Sequence, residues 1–576
     1  LHLCDRRQRQ MCIRDRDWLV IGVFFLALIG IIVWVVRQKQ NDSADYFLGG
    51  RDATWLAIGA SIFASNIGSE HLIGLAGAGA SSGMAMAHWE IQGWMILILG
   101  WVFVPFYTRS MVYTMPEFLE RRYNPQSRTI LSVISLVSYV LTKVAVTVYA
   151  GGLVFQQVFG IKELWGIDFF WIAAIGLVVL TALYTIFGGM KSVLYTSVLQ
   201  TPILLLGSLI ILVLGFKELG GWDEMMRVCG AVTVNDYGDT MTNLIRSNDD
   251  ANFPWLGALI GSAIIGFWYW CTDQFIVQRV LSGKNEMEAR RGTIFGAYLK
   301  LLPVFLFLIP GMIAFALHQK YIGAGGEGFL PMLANGTANA DAAFPTLVAK
   351  LLPAGVKGLV VCGILAALMS SLASLFNSSA MLFTIDFYKR FKPETPEKKL
   401  VGIGQIATIV IVVLGILWIP IMRSVGDVLY TYLQDVQSVL APGIAAAFLL
   451  GICWKRTSAQ GGMWGLISGM VIGLTRLGAK VYYSNAGEVA DSTFKYLFYD
   501  MNWLFFCGWM FLFCIIVVIV VSLATEAPTA EKIQGLVFGT ATKKQKAATR
   551  ASWNHWDIIH TVIILAITAA FYWYFW

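Results

Sequence analysis

Charged residues are scarce in this sequence, and the patterns that mark catalytic or metal-binding domains are missing. Asp, Glu, Lys and Arg make up 13% of the 576 residues, whereas they make up about a quarter of a soluble domain. The eight cysteines form neither a paired extracellular framework nor a metal-type spacing. The sequence has no HExxH motif, no phosphate-binding loop and no nucleophile–base set. These absences argue against a large soluble domain, a cysteine-bound metal and an enzyme.

Long apolar runs fill almost the whole chain instead, and 57% of the residues are hydrophobic. A helix needs about twenty apolar residues to cross a bilayer. Runs of this kind number about fourteen and lie at residues 17–36, 53–80, 85–107, 128–159, 168–188, 191–216, 253–279, 292–318, 357–386, 401–422, 429–453, 461–479, 502–523 and 555–576. The sequence therefore predicts an all-α polytopic membrane protein with about 14 transmembrane helices in a single domain, residues 17–576.

The chain ends and the loops suggest an orientation. Residues 1–16 contain five arginines and no apolar stretch, so they are too polar for a signal peptide and we expect a non-native or disordered leader. Lys and Arg accumulate in cytoplasmic loops, and their distribution favours spans that alternate from an external Asp17. This predicts a plasma (inner) membrane protein with both termini outside. The basic loop 525–553 is then internal, and we expect a solvated linker with some affinity for anionic lipid. The net charge of +7 is explained by such loops and requires no nucleic-acid partner.

Two of the predicted spans are interrupted by small and polar residues. In the stretch 59–83, Gly and Ser crowd the middle, and Asn66, Glu70 and His71 lie at membrane depth. The span 253–279 is again rich in Gly and polar groups. Irregular backbone survives inside a membrane only where it lines a cavity or lies against protein.

Two such spans in corresponding halves point to a transporter with inverted repeats. The repeats would be residues 53–216 and 253–453, with five helices each. The span 17–36 would be a peripheral helix, and residues 461–576 would add three helices.

A set of ionisable and amide side chains lies inside the apolar runs, where each costs a few kcal/mol and usually faces an aqueous path. The set consists of His71, Glu90, Lys143, Asp273, Lys300 and Gln434. Carboxylate, ammonium and amide groups together can bind several hydroxyls, and Trp268, Tyr269 and Trp270 could stack on the apolar face of a sugar. The alternative is that these residues form structural salt bridges and ordinary packing.

Ser370 and Ser371 stand in a stretch of small residues in the span 357–386. Sodium prefers hard oxygen ligands such as hydroxyls and free carbonyls. Two hydroxyls that face an opened backbone near residues 64–67 could form such a site. Equally, Ser and Thr commonly join helices in membranes.

Longer motifs make the sequence resemble a known family. They are YFLGGR (46–51), ASNIGSEHLIGLAGAGASSG (64–83), TMPEFLERRY (114–123), ALYTIFGGMKSVLYT (182–196), WYWCTDQFIVQR (268–279), YLKLLP (298–303), LMSSLASLFNSSAMLFTIDFY (368–388), YLQ (432–434) and GICWKRTSAQGGMWGLISG (451–469). From about Tyr46 to Gly469 the chain resembles the sodium/solute symporter family, and within it the sodium/glucose cotransporter branch.

The resemblance implies a leucine-transporter-type fold with two inverted five-helix repeats. It implies a co-transported sodium ion, held by the carbonyls of Ala64, Ile67 and Ala367 and the hydroxyls of Ser370 and Ser371. The implied solute ligands are His71, Glu90, Lys300 and Gln434, with Asn66 nearby, Tyr269 as an inner gate and Trp270 beside it. Three positions depart from the family pattern: Ser197 and Thr147 stand where relatives have Asp, and Gly93 where some have Ser. The change at Ser197 puts a second sodium site in doubt.

The predicted function is sodium-coupled import of a sugar of the glucose, galactose or mannose type by alternating access. The alternatives are symport of another small solute, such as myo-inositol, an amino acid, a carboxylate or sialic acid, and a non-transporting sodium-dependent sensor. No catalytic residue is predicted.

Overall fold

The fold is known from a computed structural model. It describes residues 15–38, 42–68, 70–333, 336–353, 355–425, 429–485 and 490–576. Within these ranges the side chains at 141, 142, 157, 421–435 and 485 are left out of the description. Most of the predicted leader, residues 1–16, lies outside the described residues.

The chain is helical almost throughout. The helices of the first half are α1 Asp15–Val36, α2 Ser43–Leu48, α3 Trp55–Asn66, α4 Ala76–Ser81, α5 Ala87–Glu90, α6 Gly93–Ile98, α7 Val104–Ser110, α8 Met115–Arg122, α9 Pro125–Ser138, α10 Ala145–Phe159, α11 Phe169–Leu219, α12 Trp222–Gly230 and α13 Trp255–Gly266. Those of the second half are α14 Gln274–Leu281, α15 Glu286–Lys300, α16 Ile309–Gly323, α17 Ala343–Leu351, α18 Val356–Met381, α19 Lys389–Phe391, α20 Glu397–Val425, α21 Leu429–Cys453, α22 Ala459–Asn485, α23 Thr493–Lys495, α24 Trp503–Ala524, α25 Ala530–Ile533, α26 Lys543–Ala551 and α27 His555–Tyr574.

Short irregular turns connect or extend these helices. Wider, π-helical turns occur at Glu70–Leu75, Leu99–Phe103, Tyr139–Val144, Phe267–Thr272, Val304–Leu308, Leu382–Tyr388 and Tyr496–Asp500, and 3₁₀ turns at Gly49–Arg51, Gly83–Met86 and Ala340–Ala342. The strands β1 Glu163–Leu164 and β2 Ile167–Asp168 form a small antiparallel hairpin.

The long helices coincide with the apolar runs of the sequence, because backbone groups in a bilayer can be satisfied only within helices or closed barrels. Among the described residues, ten helical segments are long and apolar enough to span a membrane, and the apolar helices Trp55–Asn66 and Ala145–Gln156 are shorter. The multi-span prediction is thus confirmed, while the number of fourteen remains a prediction. The limits of the two repeats likewise remain predictions.

The first interrupted span is broken where the sequence predicted it. Helix α3 ends at Asn66, and Ile67 has extended backbone angles of φ −78° and ψ 104°. The helical hydrogen bonds of α3 end with the one from the Ile67 N–H to the Phe63 carbonyl. The next ones run from the N–H groups of His71 and Leu72 to the Gly68 carbonyl. The segment therefore resumes as a separate helical arm with a gap in the backbone ladder between the two.

The second interrupted span breaks at Asp273, which has extended angles of φ −75° and ψ 127° between a π-helical turn and α14. The Asp273 carboxylate accepts from the backbone N–H of Phe275 at 3.2 Å. It therefore caps α14 in the manner usual for an aspartate at a helix start.

The two predicted spans 168–188 and 191–216 are the two arms of α11. Gly189, with φ 51° and ψ −147°, separates them. A side chain could not stand there, because a Cβ would lie 2.4 Å from the Tyr46 carbonyl oxygen. Helix α11 packs extensively against α18, and α3 packs against α15 and α11. These contacts bring the first break to the middle of the bundle.

The loop 525–553 is only partly the solvated linker that we expected. Its last residues dock on the start of α15, where the Ser552 hydroxyl donates to Glu286 at 3.1 Å. Arg290 donates to both Ser552 and Glu286. The physical reason is that the buried Arg290 guanidinium needs hydrogen-bond acceptors, and Ser552 of the loop provides one. The local sequence does not reveal this contact.

Candidate functional site

A cluster of buried polar side chains lies beside the first break. The Lys300 ammonium donates to Glu90 Oε2 at 2.6 Å and to Asn66 Oδ1 at 3.1 Å. His71 Nε2 lies 3.2 Å from the same Glu90 oxygen, although it is not aligned for a hydrogen bond. All four side chains are at most 6% exposed. The structure therefore brings together four of the predicted solute ligands.

Three of these four residues stand at the end of a helical element. Asn66 is the last residue of α3, Glu90 the last of α5 and Lys300 the last of α15. Helix ends leave backbone groups unpaired and allow the chain to turn. The ends of these helical elements thus place the three polar side chains around one cavity.

The predicted aromatic gate adjoins the cluster. Asn66 Nδ2 donates to the Tyr269 hydroxyl at 3.1 Å. The ring of Trp270 lies 5.4 Å from the Lys300 ammonium and 4.9 Å from the Tyr269 ring, almost perpendicular to it. Tyr269 and Trp270 belong to the π-helical turn that precedes the second break. Both broken spans therefore contribute to one site.

A cavity of about 40 Å³ lies between these groups. Glu70, which was expected at membrane depth but not as a ligand, also lines it. The residues that sequence reasoning missed there are Trp89, Gln92, Ile265, Gly266 and Gln437. One water molecule needs about 10–15 Å³ of such space, so the cavity holds a few water molecules and not a six-membered polyol. Entry of such a solute requires the lining elements to separate.

Of the missed residues, Gln92 and Gln437 carry amides suited to hydroxyl recognition. Gln92 donates to the Ser262 carbonyl at 2.8 Å and lines the cavity. Each is close in sequence to a predicted ligand, Gln92 to Glu90 and Gln437 to Gln434. The side chain of Gln434 itself lies outside the described residues.

The predicted sodium ligands converge on the same break from the other side. In α18, Ala367, Ser370 and Ser371 are spaced i, i+3 and i+4, so they share one face of the helix. A Cβ at Gly68 would lie 3.1 Å from Ser371 Oγ, and this buried hydroxyl has no hydrogen-bond partner among the described residues. No described backbone N–H donates to the carbonyl of Ala64 beyond the end of α3. The Ser371 hydroxyl and the Ala64 carbonyl are thus two predicted oxygens without a hydrogen-bond donor among the described residues.

Ser197 also belongs to this region, which the sequence analysis did not foresee. Its hydroxyl donates to the Val193 carbonyl at 2.6 Å and lies 3.2 Å from Ser370 Oγ. Ser197 thus supports a predicted ligand by a neutral hydrogen bond. The only signal was the departure from the family pattern at this position.

The other two departures have structural counterparts. Thr147 donates to the Lys143 carbonyl within its own helix at 2.8 Å. At Gly93, a Cβ would lie 2.8 Å from the Ala297 carbonyl oxygen. A serine at Gly93 would therefore collide with α15, so the smaller residue allows α6 and α15 to approach closely.

A second buried ion pair lies next to the gate but makes its contacts within the protein. Lys143 donates to Asp273 Oδ2 at 2.7 Å, and the Tyr139 hydroxyl donates to Asp273 Oδ1. The Lys143 ammonium also lies 4.8 Å from the centre of the Tyr269 ring. These contacts favour a structural role for Lys143 and Asp273, which was the alternative left open for both.

Comparison with known proteins agrees with this picture. A profile of the sodium:solute symporter family matches residues 46–469. The protein named sodium/myo-inositol cotransporter 2 of Homo sapiens is 36% identical over 91% of this chain and 79% of its own length. The sodium/myo-inositol cotransporter of Canis lupus familiaris is 37% identical over 91% of this chain and 75% of its own length.

A solved structure has the same fold. It shows a substrate-bound outward-open state of a Na⁺-coupled sialic acid symporter, with a TM-score of 0.71 and 22% identity over 90% of this chain and 99% of the other. The all-α, leucine-transporter-type fold that we predicted is thereby confirmed.

Proposed function

The chain belongs to the sodium:solute symporter family, and from this premise we propose that it imports a cyclic polyol of the myo-inositol type together with sodium. Membership of the family confirms that the chain is a multi-pass transporter rather than an enzyme and that sodium is the coupled ion. The proposal concerns the solute, the residues that bind it and the direction of transport. It revises the order of our predictions, since a hexose stood first there and myo-inositol was an alternative.

The carrying observation is the array of Glu90, Lys300, Asn66 and His71 around the cavity. A carboxylate accepts hydrogen bonds, an ammonium donates them and an amide does both. A neutral ring with a hydroxyl on every carbon can satisfy all of these groups without bringing a charge of its own. The names of the relatives from Homo sapiens and Canis lupus familiaris favour the same solute class.

We assign the co-transported sodium to the carbonyls of Ala64, Ile67 and Ala367 and the hydroxyls of Ser370 and Ser371. The unpartnered Ser371 hydroxyl facing Gly68 supports this assignment. Ala64, a proposed sodium ligand, and Asn66, a proposed solute ligand, both lie in the last turn of α3. An ion that fixes this turn therefore also positions a solute ligand. That arrangement couples the two binding events, because each ligand favours the same conformation.

One sodium ion is enough to drive accumulation. An ion that crosses 100 mV supplies about 2.3 kcal/mol, and a tenfold concentration gradient adds about 1.4 kcal/mol. Together they allow roughly 500-fold accumulation of a neutral solute. We place the protein in the plasma (inner) membrane with both termini outside, so that the gradient drives import.

The test is uptake of labelled myo-inositol, glucose, galactose and mannose into proteoliposomes that contain the purified full-length protein. An inward sodium gradient is compared with an equal choline gradient, and a sodium ionophore serves as a second control. We expect sodium-dependent uptake of myo-inositol, and competition by unlabelled myo-inositol stronger than by any of the hexoses.

Preferred uptake of a hexose would overturn the solute while leaving sodium symport in place. Equal uptake with sodium and choline would contradict the assigned coupling. Sodium binding without transport of any of the four solutes would favour the sensor or a different solute.

A further inference from the structure

An apolar groove of about 500 Å³ lies on the outside of the bundle, between α1 and the first arm of α11, and shares no lining residue with the polar cavity. Side chains such as Ile29, Leu183 and Phe187 form its walls, and these three are at least half exposed. Because its apolar walls are exposed on the outer face of a membrane protein, the groove is open to the hydrocarbon chains of lipid.

Helix α1 is held at both ends, which defines the groove between them. At its start, Asp17 accepts from the backbone N–H groups of Gly355 and Gly358 at 2.6 and 2.7 Å. Just beyond its end, Gln38 accepts from Lys191 at 3.1 Å. Because hydrogen bonds hold both ends of α1, a simple shift of this helix cannot close the groove that begins beside Phe25.

The groove has the length of one lipid leaflet. On α1 it runs from Phe25 to Arg37, which is about 18 Å at 1.5 Å per residue. Half of the hydrocarbon core of a bilayer is about 15 Å. One acyl chain in one leaflet therefore fits along it.

The Arg37 end of the groove lies at headgroup level. Trp34 and Tyr195 form an edge-to-face pair there with ring centres 5.1 Å apart, and such aromatic residues are typical of the membrane interface. Arg37 is exposed and pairs with none of the described carboxylates. Lys191, which contacts Gln38, brings a second positive charge to the same end.

We propose that this groove binds one acyl chain of an anionic phospholipid whose headgroup phosphate pairs with Arg37. The apolar walls select a hydrocarbon chain, and the two cations select a negative headgroup over a zwitterionic one. By the positive-inside expectation this end faces the cytoplasm, where anionic lipids attract basic residues near the surface. The floor of the groove includes Tyr184 and Met369.

The floor connects the lipid to the sodium ligands. The Tyr184 hydroxyl donates to the Met369 carbonyl at 2.9 Å, and Met369 immediately precedes Ser370. A chain seated on Tyr184 thus braces the part of α18 that carries the two serines.

The experiment measures retention of lipid by the full-length protein. Protein purified in detergent is titrated with dioleoyl phosphatidylglycerol or dioleoyl phosphatidylcholine, and bound lipids are counted by native mass spectrometry. Arg37→Gln removes the headgroup partner, and Leu183→Trp fills the groove. Lys398→Gln is the matched control, because Lys398 is another exposed cation that we expect on the cytoplasmic side.

We expect one tightly retained phosphatidylglycerol in the unaltered protein and in Lys398→Gln. Arg37→Gln should bind it about fivefold more weakly, and Leu183→Trp should lose it. Inorganic phosphate should not displace it, since the acyl chain contributes most of the binding.

Equal weakening by Arg37→Gln and Lys398→Gln would overturn the proposal in favour of general attraction to a basic face. Equal retention of phosphatidylcholine, displacement by inorganic phosphate or full retention in Leu183→Trp would each overturn it as well. Retention needs no transported solute, so its failure is distinguishable from a failure of the proposed function.

Discussion

Two buried ion pairs lie side by side at the centre of this molecule, and they differ in what remains free around them. Asp273 is bound by Lys143, by the Tyr139 hydroxyl and by the backbone N–H of Phe275. Glu90 is bound by Lys300 and approached by His71, and it borders a cavity. The first pair is completed by the protein, whereas the second has neighbours that can still accept or donate.

The difference shows that an ionisable residue inside a membrane span does not reveal its role by its presence alone. Both carboxylates have a lysine partner at 2.6 to 2.7 Å. What separates them is spare hydrogen-bonding capacity next to open space. A saturated pair stabilises the bundle, and an unsaturated pair next to a cavity can bind a solute.

The largest expected effect comes from removing each carboxylate in turn. Glu90→Gln should lower sodium-driven uptake per folded protein about 100-fold, as expected for the loss of a charge-assisted interaction of about 3 kcal/mol. It should destabilise the protein less than Asp273→Asn does, because Lys300 keeps its hydrogen bond to Asn66 and borders the cavity. Asp273→Asn should destabilise the protein by about 3–5 kcal/mol, because it leaves Lys143 buried and unpaired. Uptake per folded protein and thermal unfolding in detergent measure the two effects.

Each of these variants is the control for the other. If Asp273→Asn folds as stably as the unaltered protein and still loses uptake, the contrast between the two pairs is wrong.

The next effect concerns the hydroxyls of α18. Ser371→Ala should raise the sodium concentration for half-maximal uptake about tenfold, which corresponds to one lost ligand worth about 1.4 kcal/mol. Ser379→Ala is the matched control, since its hydroxyl is also buried without a partner among the described residues but lies two turns away from the break. Uptake at graded sodium concentrations measures both. An equal shift in the two variants would assign the effect to packing rather than to an ion site.

Removing the hydroxyl of one tyrosine at each ion pair, Tyr269 near Glu90 and Tyr139 at Asp273, should give a smaller but distinct effect. Tyr269→Phe removes the hydrogen bond from Asn66 and should raise KM for the solute about fivefold, for a bond worth about 1 kcal/mol. Tyr139→Phe, by contrast, removes a contact of the saturated pair and should lower the unfolding temperature with KM unchanged. Initial uptake rates and thermal unfolding separate these outcomes. A change of KM in Tyr139→Phe alone would reverse the roles of the clusters.

The smallest expected effect concerns the contact between Tyr184, in the floor of the apolar groove, and the helix α18 that carries the sodium ligands. Tyr184→Phe breaks the bond to the Met369 carbonyl and should weaken sodium activation about threefold. Tyr195→Phe, on the same helix α11 but paired with Trp34, should leave sodium activation unchanged. Uptake at graded sodium concentrations measures both variants. Unchanged sodium activation in Tyr184→Phe would show that the hydroxyls of α18 need no support from the groove.

Much of the fold was predictable, because the bilayer restricts what a chain can do. Runs of apolar residues such as 17–36 and 502–523 can only be buried in lipid or protein as helices. A break near residues 64–67 was expected from clustered Gly, Ser and polar residues, and an interruption was expected within 253–279, although its position at Asp273 was not. The separation of one 51-residue helix, α11, by Gly189 was less apparent, although two spans were predicted there.

The site was predictable in its members but not in its pairings. Lys300 and Glu90 are 210 positions apart, and Lys143 and Asp273 are 130 apart. Either lysine could have paired with either carboxylate from the residues alone. The positions of Gln92, Gln437 and Ser197 next to the cavity and the hydroxyls also follow from contacts between distant elements.

The sequence by itself determined that this protein spans a membrane, where its spans are interrupted and which polar side chains lie at membrane depth. These properties are local, since the cost of exposing charge and backbone to hydrocarbon is set residue by residue. Only the tertiary structure decided which carboxylate is saturated, which hydroxyl is left free and where the lipid-facing groove lies. Those properties depend on how helices far apart in the chain pack together, and no local pattern encodes the distance between their side chains.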